Sequence, residues 1–390
     1  MTTITLCVLG WAVGWILLGA PRRVRDLRSD LAAVDPGEVG RTGYDVIIPA
    51  RDEADVIGLL LSDLAPLAGT GNRVLVVDDH SSDATASVAG GFAGVEVIAA
   101  PDLPEGWTGK SWACHTGVAA ISGSADPQPQ LEVDSRGLVF LDADVRLGSA
   151  TATGPEVLSL LVRRQRQVGG LVSVQPWHET RLLYERLSAL FNVLAIMGTA
   201  MTSRRGPTGA FGPVLVTNAE DYRASGGHEA VREQVVEDLA LAERYTSAGR
   251  VVDLYEGGQD VRFRMYPNGP AQLIEGWTKN FATGAVSTRP LRLLGAVLWI
   301  TGLGSGVVVL IDGVRGGLPL WVGIGLYTAF VLQLVRMFRQ VGRFGPVAAL
   351  LYPGLLAFFF AVFARSVWSS RVRRRVTWRG RAIPVGVRRA

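Results

Sequence analysis

The sequence predicts an α/β domain joined to apolar segments of membrane-spanning length. Between Arg41 and about Arg289, short runs of β-branched and apolar residues alternate with amphipathic stretches, which is typical of a mostly parallel sheet covered by helices. Outside that region, four long runs carry no charged residue. The composition agrees, because 48% of the 390 residues are hydrophobic and 19% are charged, whereas a soluble domain has roughly 25% charged residues.

Each predicted strand is a run of four to six residues that ends near Pro, Asp or Gly. The strands are Tyr44–Pro49, Arg73–Val77, Val95–Ile98 and Leu138–Leu141. Helices are predicted over Glu53–Leu64 and Ser111–Ser122. Ligands of parallel sheets bind in the crevice at the carboxyl ends of the strands. The acidic residues that directly follow these strands are therefore candidate site residues.

The uncharged runs are Thr3–Ala20, Leu293–Ile311, Gly316–Val335 and Phe344–Ala364. At about 1.5 Å per helical residue, each of the last three is long enough to cross about 30 Å of hydrocarbon. A buried core helix is the alternative for any single run. Three such runs at one end of the chain favour membrane segments.

The charges beside the first run predict its orientation. Arg22, Arg23 and Arg25 follow it, which favours an anchor with its N-terminus outside and the next domain in the cytoplasm. We therefore expect a multi-pass protein of the cell membrane whose α/β domain lies in the cytoplasm. The last run leaves the number of spans open, because Tyr352-Pro353-Gly354 at its midpoint also favours a re-entrant or interfacial segment.

These patterns divide the chain into an anchor (residues 3–20), a cytoplasmic α/β domain (41–289), membrane segments (290–368) and an Arg-rich tail (369–390). The last 26 residues contain nine Arg and no acidic residue, which leaves 30 basic and 35 acidic residues, a net charge of −5, in the rest of the chain. A basic tail beside apolar segments favours contact with anionic membrane lipids. Nucleic-acid binding is not expected, because no surface of interleaved aromatic and basic residues is visible.

Two carboxylates follow the fourth predicted strand, in Leu141-Asp142-Ala143-Asp144. Surface turn residues would give the same pattern. However, Mg²⁺ takes one or two carboxylates together with the phosphates of a substrate. Asp142 and Asp144 therefore favour a site for a metal-bound diphosphate.

Two further acidic sets have comparable positions. Asp78 to Asp83 follow the second strand, where a carboxylate can accept from a ribose hydroxyl or a base N–H and Ser81 or Ser82 can cap the next helix. Glu237 and Asp238 precede an Ala/Leu-rich helix. Negative charge at a helix N-terminus is favourable without any function, but a third acidic set makes catalysis the better interpretation.

The motifs PARDEAD, VLVVDDHSSD, FLDAD and VVED, in this order, resemble those of the inverting family 2 glycosyltransferases, which have a GT-A nucleotide-diphospho-sugar domain. More narrowly, LPEGWTGKSWACHTG, GAFGPVLVT, GGHEAV, RMYPNG and EGWTKNFATGA resemble the membrane-bound branch that includes the carotenoid (4,4'-diaponeurosporenoate) glycosyltransferases. The resemblance covers about residues 1–385. It implies an α/β fold of the GT-A type with one N-terminal and about three C-terminal transmembrane segments.

The resemblance also implies roles for the acidic residues. Asp52 and Glu53 would face the nucleoside, and Asp79 would face the uracil or ribose. Asp78 is a further substrate-binding candidate. Asp144 would bind Mg²⁺ or Mn²⁺ and the diphosphate, with Asp142 nearby. Asp238, with Glu237 beside it, would be the catalytic base that takes a proton from the acceptor hydroxyl.

Only two of the 39 basic side chains are lysines. Lys110 lies in GWTGKS, which is not a phosphate-binding P-loop, because Pro104 stands where that loop needs a Gly. Related transferases use a Gly-Lys element after the third strand to contact the donor. Lys110 is therefore a candidate contact to the diphosphate or the nucleotide. Processive synthases carry QxxRW, whereas here Gln272-Leu273-Ile274 leads to Glu275-Gly276-Trp277. The arginine of that motif is therefore absent. Arg264 and Lys279 are candidates to supply a cation in its place, and Trp277 is a candidate substrate contact.

The expected function is transfer of a single sugar from a UDP-sugar to a lipidic acceptor, a carotenoid or related terpenoid, as a step of carotenoid biosynthesis. The alternatives are transfer to a polyprenyl phosphate or a glycerolipid and, in another class, a non-catalytic membrane subunit that binds nucleotide. The apolar segment Leu182–Met201 is either a core helix or an interfacial helix that guides a lipid acceptor.

Overall fold

A computed structural model describes residues 2–31, 43–123, 136–201, 206–234, 236–287, 289–369, 375–378 and 381–384. The chain forms two compact units. The sheet unit comprises Arg22–Trp177 and Gly209–Arg264, and the helical unit comprises Met1–Pro21, His178–Thr208 and Met265–Ala390. The structure thus groups residues 178–208 and 265–289 with the apolar helices, whereas the sequence places them in the α/β domain. The functional boundaries inferred from the sequence stay a prediction.

Seven strands form the main sheet of the sheet unit. Numbered in chain order, they are β1 (Tyr44–Ala50), β2 (Arg73–Asp78), β3 (Val95–Ala99), β4 (Gly137–Leu141), β6 (Leu171–Gln175), β8 (Val214–Asn218) and β9 (Val252–Glu256). The strand order is β3-β2-β1-β4-β8-β6-β9. Only β8 runs antiparallel to its neighbours, and the other pairs are parallel. The predicted mostly parallel sheet and its four N-terminal strands are therefore confirmed.

The remaining strands are short. β5 (Val145–Leu147) and β10 (Val261–Phe263) pair antiparallel in a second sheet, whose third strand, β7 (Trp177–His178), lies where the chain passes from one unit into the other.

The sheet unit also contains helices, several of which directly follow a strand. They are α2 (Leu27–Leu31), α3 (Ile57–Leu64), α4 (Thr85–Gly90), α5 (Gly109–Ser122), α6 (Gly154–Val168), α8 (Ala219–Ser225) and α9 (Glu237–Ser247). Every residue of β4 is buried, as expected for a central strand covered by helices on both faces. The apolar core that results fixes the strand ends, where the acidic residues lie.

The segment after Pro21 belongs to the sheet unit. Arg22 forms an ion pair with Asp253, and Arg28 Nη2 lies 3.0 Å from Asp260 Oδ1. Arg23 lies beside Glu256, with a 3.7 Å separation between Nε and Oε2. Arg22 and Arg23, two of the arginines that give the orientation signal, thus join this segment to β9, and Arg28 joins it to the turn before β10.

The helical unit contains α1 (Thr2–Leu18), α7 (Ala189–Thr199), α10 (Pro270–Ser287), α11 (Pro290–Val314), α12 (Leu320–Val341), α13 (Pro346–Leu350) and α14 (Tyr352–Trp368). The tail contributes a hairpin of β11 (Arg375–Trp378) and β12 (Arg381–Pro384). Within the described residues, α11 and α12 are long and apolar enough to cross a membrane. The helices α1 and α14 have 17 residues each, so the predicted number of spans stays a prediction.

The structure shows where the fourth apolar run is broken and how deeply α7 is buried. The fourth apolar run is broken at Leu351, one residue before the predicted breakpoint. The helix α7 is almost fully buried, which favours the core-helix interpretation of the segment Leu182–Met201. By contrast, Leu183 at the start of that segment is 78% exposed.

Candidate active site

The Lys110 ammonium lies between two carboxylates that come from distant parts of the chain. Helix α5 begins at Gly109, and the Thr108 N–H just before it donates to the Arg232 carbonyl over 2.8 Å, which places Lys110 in the first turn. Lys110 Nζ is 2.6 Å from Asp142 Oδ1 and 3.0 Å from Glu237 Oε1. The end of β4 and the start of α9 are thus held together by one cation.

The electrostatics of this cluster favour the charged form of Lys110. Burial alone would lower the pKa of the Lys110 ammonium, but the carboxylates of Asp142 and Glu237 together raise it well above its usual value. Lys110 is therefore protonated at neutral pH.

Asp238 is adjacent to this cluster. Its Oδ2 accepts from the Gly212 N–H over 2.7 Å and its Oδ1 from the Leu239 N–H over 2.9 Å. The Asp238 side chain is partly exposed to solvent. Burial by the surrounding protein, followed by the negative charge of Glu237, raises the pKa of Asp238 to about 6. Lys110 and the two N–H groups lower this pKa, but their effect is smaller. A carboxylate with this pKa is ionised at pH 7 and basic enough to accept a proton in catalysis.

Asp142 and Asp144 lie in the turn between β4 and β5, and both are partly exposed. The Asp142 N–H donates to the Pro213 carbonyl over 3.0 Å. No group of three or more His, Cys, Asp or Glu side chains suited to a metal ion occurs among the residues that the structure describes. A divalent cation needs only one or two carboxylates when a diphosphate supplies further oxygens, so the Asp142–Asp144 turn fits such an ion.

The loops after β1 and β2 are joined through Asp52. The Asp52 N–H donates to Ser81 Oγ over 3.0 Å, and Asp52 Oδ1 accepts from the Ser82 N–H over 2.7 Å. Both Asp52 (φ +52°) and His80 (φ +55°) adopt the left-handed conformation, which is uncommon for residues other than glycine. The two loops are thus held in a specific shape at the carboxyl edge of the sheet.

These contacts correct two local predictions. Ser81 and Ser82 do not cap α4, because they bind Asp52; instead, the Asp83 carboxylate accepts from the Thr85 N–H over 2.9 Å. The helix predicted from Glu53 begins at Ile57. The reason is that the residues before it form a loop, in which the Glu53 N–H donates to Thr85 Oγ1 over 2.8 Å.

The other donor-binding candidates after β2 differ in burial. Asp79 is 4% exposed, and Arg51 Nη1 lies 2.8 Å from its carbonyl and 3.5 Å from its Oδ2. The Asp78 carboxylate accepts from the Ser81 N–H over 3.4 Å. Asp52, Glu53, Asp78 and Asp79 therefore lie at the ends of adjacent strands, as expected, and their contacts with a nucleotide stay predictions.

Not all predicted residues lie in the sheet unit. Arg264 is its last residue, whereas Trp277 and Lys279 lie on α10 of the helical unit. Trp277 is 3% exposed. Its indole donates to Ser188 Oγ over 2.9 Å and stacks on Phe191 with 4.9 Å between ring centroids. These contacts give Trp277 a packing role, and a substrate role for it, Arg264 or Lys279 stays a prediction.

Sequence reasoning missed Arg51, Ser173, Gly212 and Pro213. The segment GAFGPVLVT contributes to the family resemblance, but its sequence alone indicates no role for its residues. A Gly-Pro pair directly before a strand was the available signal, since such a pair marks a turn.

We expect Lys110→Met to destabilise the protein, because two partly buried carboxylates would lose their shared cation. Removing one partner of a buried ion pair costs about 3–5 kcal/mol, and the partial exposure of this cluster reduces the loss to about 2 kcal/mol. Thermal unfolding in detergent should therefore shift down by several degrees. Lys110→Arg keeps the charge, so it should lose less stability than Lys110→Met. An unchanged unfolding temperature in Lys110→Met would contradict this account of the cluster.

Comparisons with known proteins show the family and the fold of this chain. Residues 45–147 match the model of glycosyl transferase family 2. A 4,4'-diaponeurosporenoate glycosyltransferase of Staphylococcus aureus strain USA300 is 34% identical over 344 residues, covering 86% of this chain and 87% of the relative. The protein of the same name from strain MRSA252 is 34% identical over 345 residues, with the same coverage.

Among solved structures, a mannosyltransferase from Pyrobaculum calidifontis in complex with GDP-Man and Mn²⁺ is similar to this chain with a TM-score of 0.51. The identity is 17%, and the alignment covers 94% of this chain and 100% of that one. This likeness shows the fold, while the identity to the curated relatives shows the family. The chain belongs to glycosyltransferase family 2, with the GT-A fold, and to the branch that resembles the 4,4'-diaponeurosporenoate glycosyltransferases.

Proposed function

We propose that this protein transfers a single sugar from a UDP-sugar to a carotenoid or related terpenoid at the cytoplasmic face of the cell membrane. The observation that carries the proposal is the position of the Asp238 carboxylate, whose Oδ2 accepts from the Gly212 N–H over 2.7 Å. Asp238 lies on α9, next to Glu237. Glu237 forms an ion pair with Lys110, which also forms an ion pair with Asp142 in the Asp142–Asp144 turn. The proposed proton acceptor and the proposed diphosphate site would thus lie in one cluster of the sheet unit.

In the proposed reaction, an acceptor hydroxyl attacks the anomeric carbon of the donor. The new C–O bond forms as the bond from that carbon to the β-phosphate oxygen breaks, so that UDP leaves and the anomeric centre inverts. The hydroxyl proton passes to Asp238. A terpenoid carboxylate would attack in the same way but is already ionised at neutral pH, so Asp238 would not need to take a proton from it.

The leaving diphosphate needs positive charge nearby. Asp144, with Asp142, would hold a Mg²⁺ or Mn²⁺ ion, which neutralises developing phosphate charge when bound. Lys110 is protonated and lies 2.6 Å from Asp142 Oδ1, so it can orient that carboxylate. The strand-end residues Asp52 and Asp79 are proposed to bind the nucleoside.

The acceptor class is supported by the name of the relatives, 4,4'-diaponeurosporenoate glycosyltransferase. The helical unit agrees with a lipidic acceptor and with contact with membrane lipids. Both α11 and α12 are long and apolar enough to cross a bilayer, and large apolar side chains on them are exposed, such as Trp321 at 75% and Val314 at 71%. Such surfaces are costly in water and favourable in lipid.

Asp238→Asn tests the proposed base. With a hydroxyl-bearing terpenoid and UDP-glucose, we expect kcat to fall by about 10²–10⁴-fold, because the amide cannot accept the proton. With a terpenoid carboxylate the loss should be much smaller. The wild-type rate with the hydroxyl acceptor should fall as the pH drops below about 6, where Asp238 becomes protonated. An equal and small loss with both acceptors would exclude Asp238 as the base.

Asp144→Asn tests the proposed metal site. Wild-type UDP release should stop in EDTA and return when Mg²⁺ or Mn²⁺ is added. In Asp144→Asn we expect at least about 100-fold slower release at the same metal concentration, because several kcal/mol of charge stabilisation are lost. Asp26→Asn, on the exposed segment before α2, is the control. Full activity of Asp144→Asn would show that this carboxylate does not hold the ion.

A further inference from the structure

Residues 211–213 lie at the same edge of the sheet as the Asp142–Asp144 turn. This follows from the one antiparallel strand, because β8 begins at Val214 and pairs in register with Leu141, the last residue of β4. The Pro213 carbonyl accepts from the Asp142 N–H over 3.0 Å. The segment before β8 is thereby joined directly to the turn that is proposed to hold the diphosphate.

Gly212 connects this segment to Asp238. Its N–H donates to Asp238 Oδ2 over 2.7 Å. A Cβ atom built at Gly212 would lie 3.0 Å from Lys110 Nζ and 3.3 Å from Asp238 Oδ2. The missing side chain therefore leaves open the space between the ammonium and the carboxylate.

Ser173 holds the preceding residue. It lies in the middle of β6 and is fully buried. Its hydroxyl donates to the Phe211 carbonyl over 3.0 Å and accepts from the Phe211 N–H over 2.7 Å. One hydroxyl thus forms hydrogen bonds with both backbone polar groups of Phe211. Without these bonds the two buried groups would destabilise the fold. This fixes the peptide plane that carries the Gly212 N–H.

We propose that Ser173 is a positioning residue for Asp238 and that it acts through the Phe211–Gly212 peptide. The inference rests on the proposed function, in which Asp238 is the base. The charged groups that face Asp238 are Glu237 on its own helix and Lys110 on α5. Because the Gly212 N–H lowers the pKa of Asp238, a displaced peptide raises that pKa and turns the carboxylate away from the acceptor.

The test is the pH dependence of UDP release from UDP-glucose with water as the acceptor, which avoids any assumption about the lipid. For Ser173→Ala we expect the acidic limb of the rate to move up by about one pH unit, the order by which a hydrogen bond to a carboxylate shifts its pKa. The rate at pH 7 should fall about tenfold, from partial protonation and loss of orientation.

Thr217→Val is the matched control. Thr217 is also a fully buried hydroxyl of the same sheet, and it donates to the Gly170 carbonyl over 2.9 Å. Both variants should unfold at lower temperature, but only Ser173→Ala should shift the pH profile. A wild-type profile in folded Ser173→Ala, or an equal shift in Thr217→Val, would overturn the inference.

Gly212→Ala provides a second variant if Ser173→Ala fails to fold. It keeps the N–H but adds a methyl group between Lys110 and Asp238, so we expect the rate to fall at least tenfold; wild-type kinetics would overturn the inference. The failure of the proposed function has a different signature. In that case wild-type protein releases no UDP, or Asp238→Asn releases it as fast as the wild type.

Discussion

The candidate site depends on the position of one ammonium group. Lys110 Nζ contacts both Asp142 and Glu237, which are separated by 95 positions along the chain. Without that cation, the turn after β4 and the N-terminus of α9 would present like charges to each other. All but two of the 39 basic residues are arginines, yet a lysine stands here. A compact ammonium fits between two carboxylates, whereas a guanidinium is a larger, planar group that favours one bidentate partner.

The same site depends on the mixed topology of the sheet. In an all-parallel sheet, the residues before a strand lie at the edge opposite to the ligand crevice. Because β8 is antiparallel to β4, the residues before β8 lie at the ligand edge. There Gly212 binds Asp238 and Pro213 binds Asp142. Together with the Lys110 ion pairs, these contacts connect the proposed base to the proposed diphosphate site through short polar interactions.

Much of the sheet unit could be predicted from the sequence, because buried parallel strands give short, continuous apolar runs. The first four strands and the acidic residues at their ends follow from that pattern. The antiparallel strand β8 and the pairing of Lys110 with Glu237 could not be predicted, since local periodicity contains no information on strand order or on contacts between distant residues. The sequence predicts a helix from Glu53, whereas the residues before Ile57 form a loop. This loop could not be predicted, because its stabilising contacts with Ser81 and Thr85 come from the end of a different strand. The apolar composition of the helical unit could be predicted. However, the length of an uncharged run did not distinguish membrane-spanning helices from shorter helices such as α14.

The proposed reaction is the transfer of one sugar to a terpenoid at the site that contains Asp238. The most direct measurement is mass spectrometry of lipid extracts from a host that carries the wild-type gene, the Asp238→Asn gene or no gene. With the wild-type gene, and not without it, we expect a terpenoid whose mass is higher by one hexose. If the acceptor group is a hydroxyl, Asp238→Asn should reduce the amount of this product. An unchanged terpenoid profile beside a new hexosylated glycerolipid or polyprenyl phosphate would contradict the acceptor assignment.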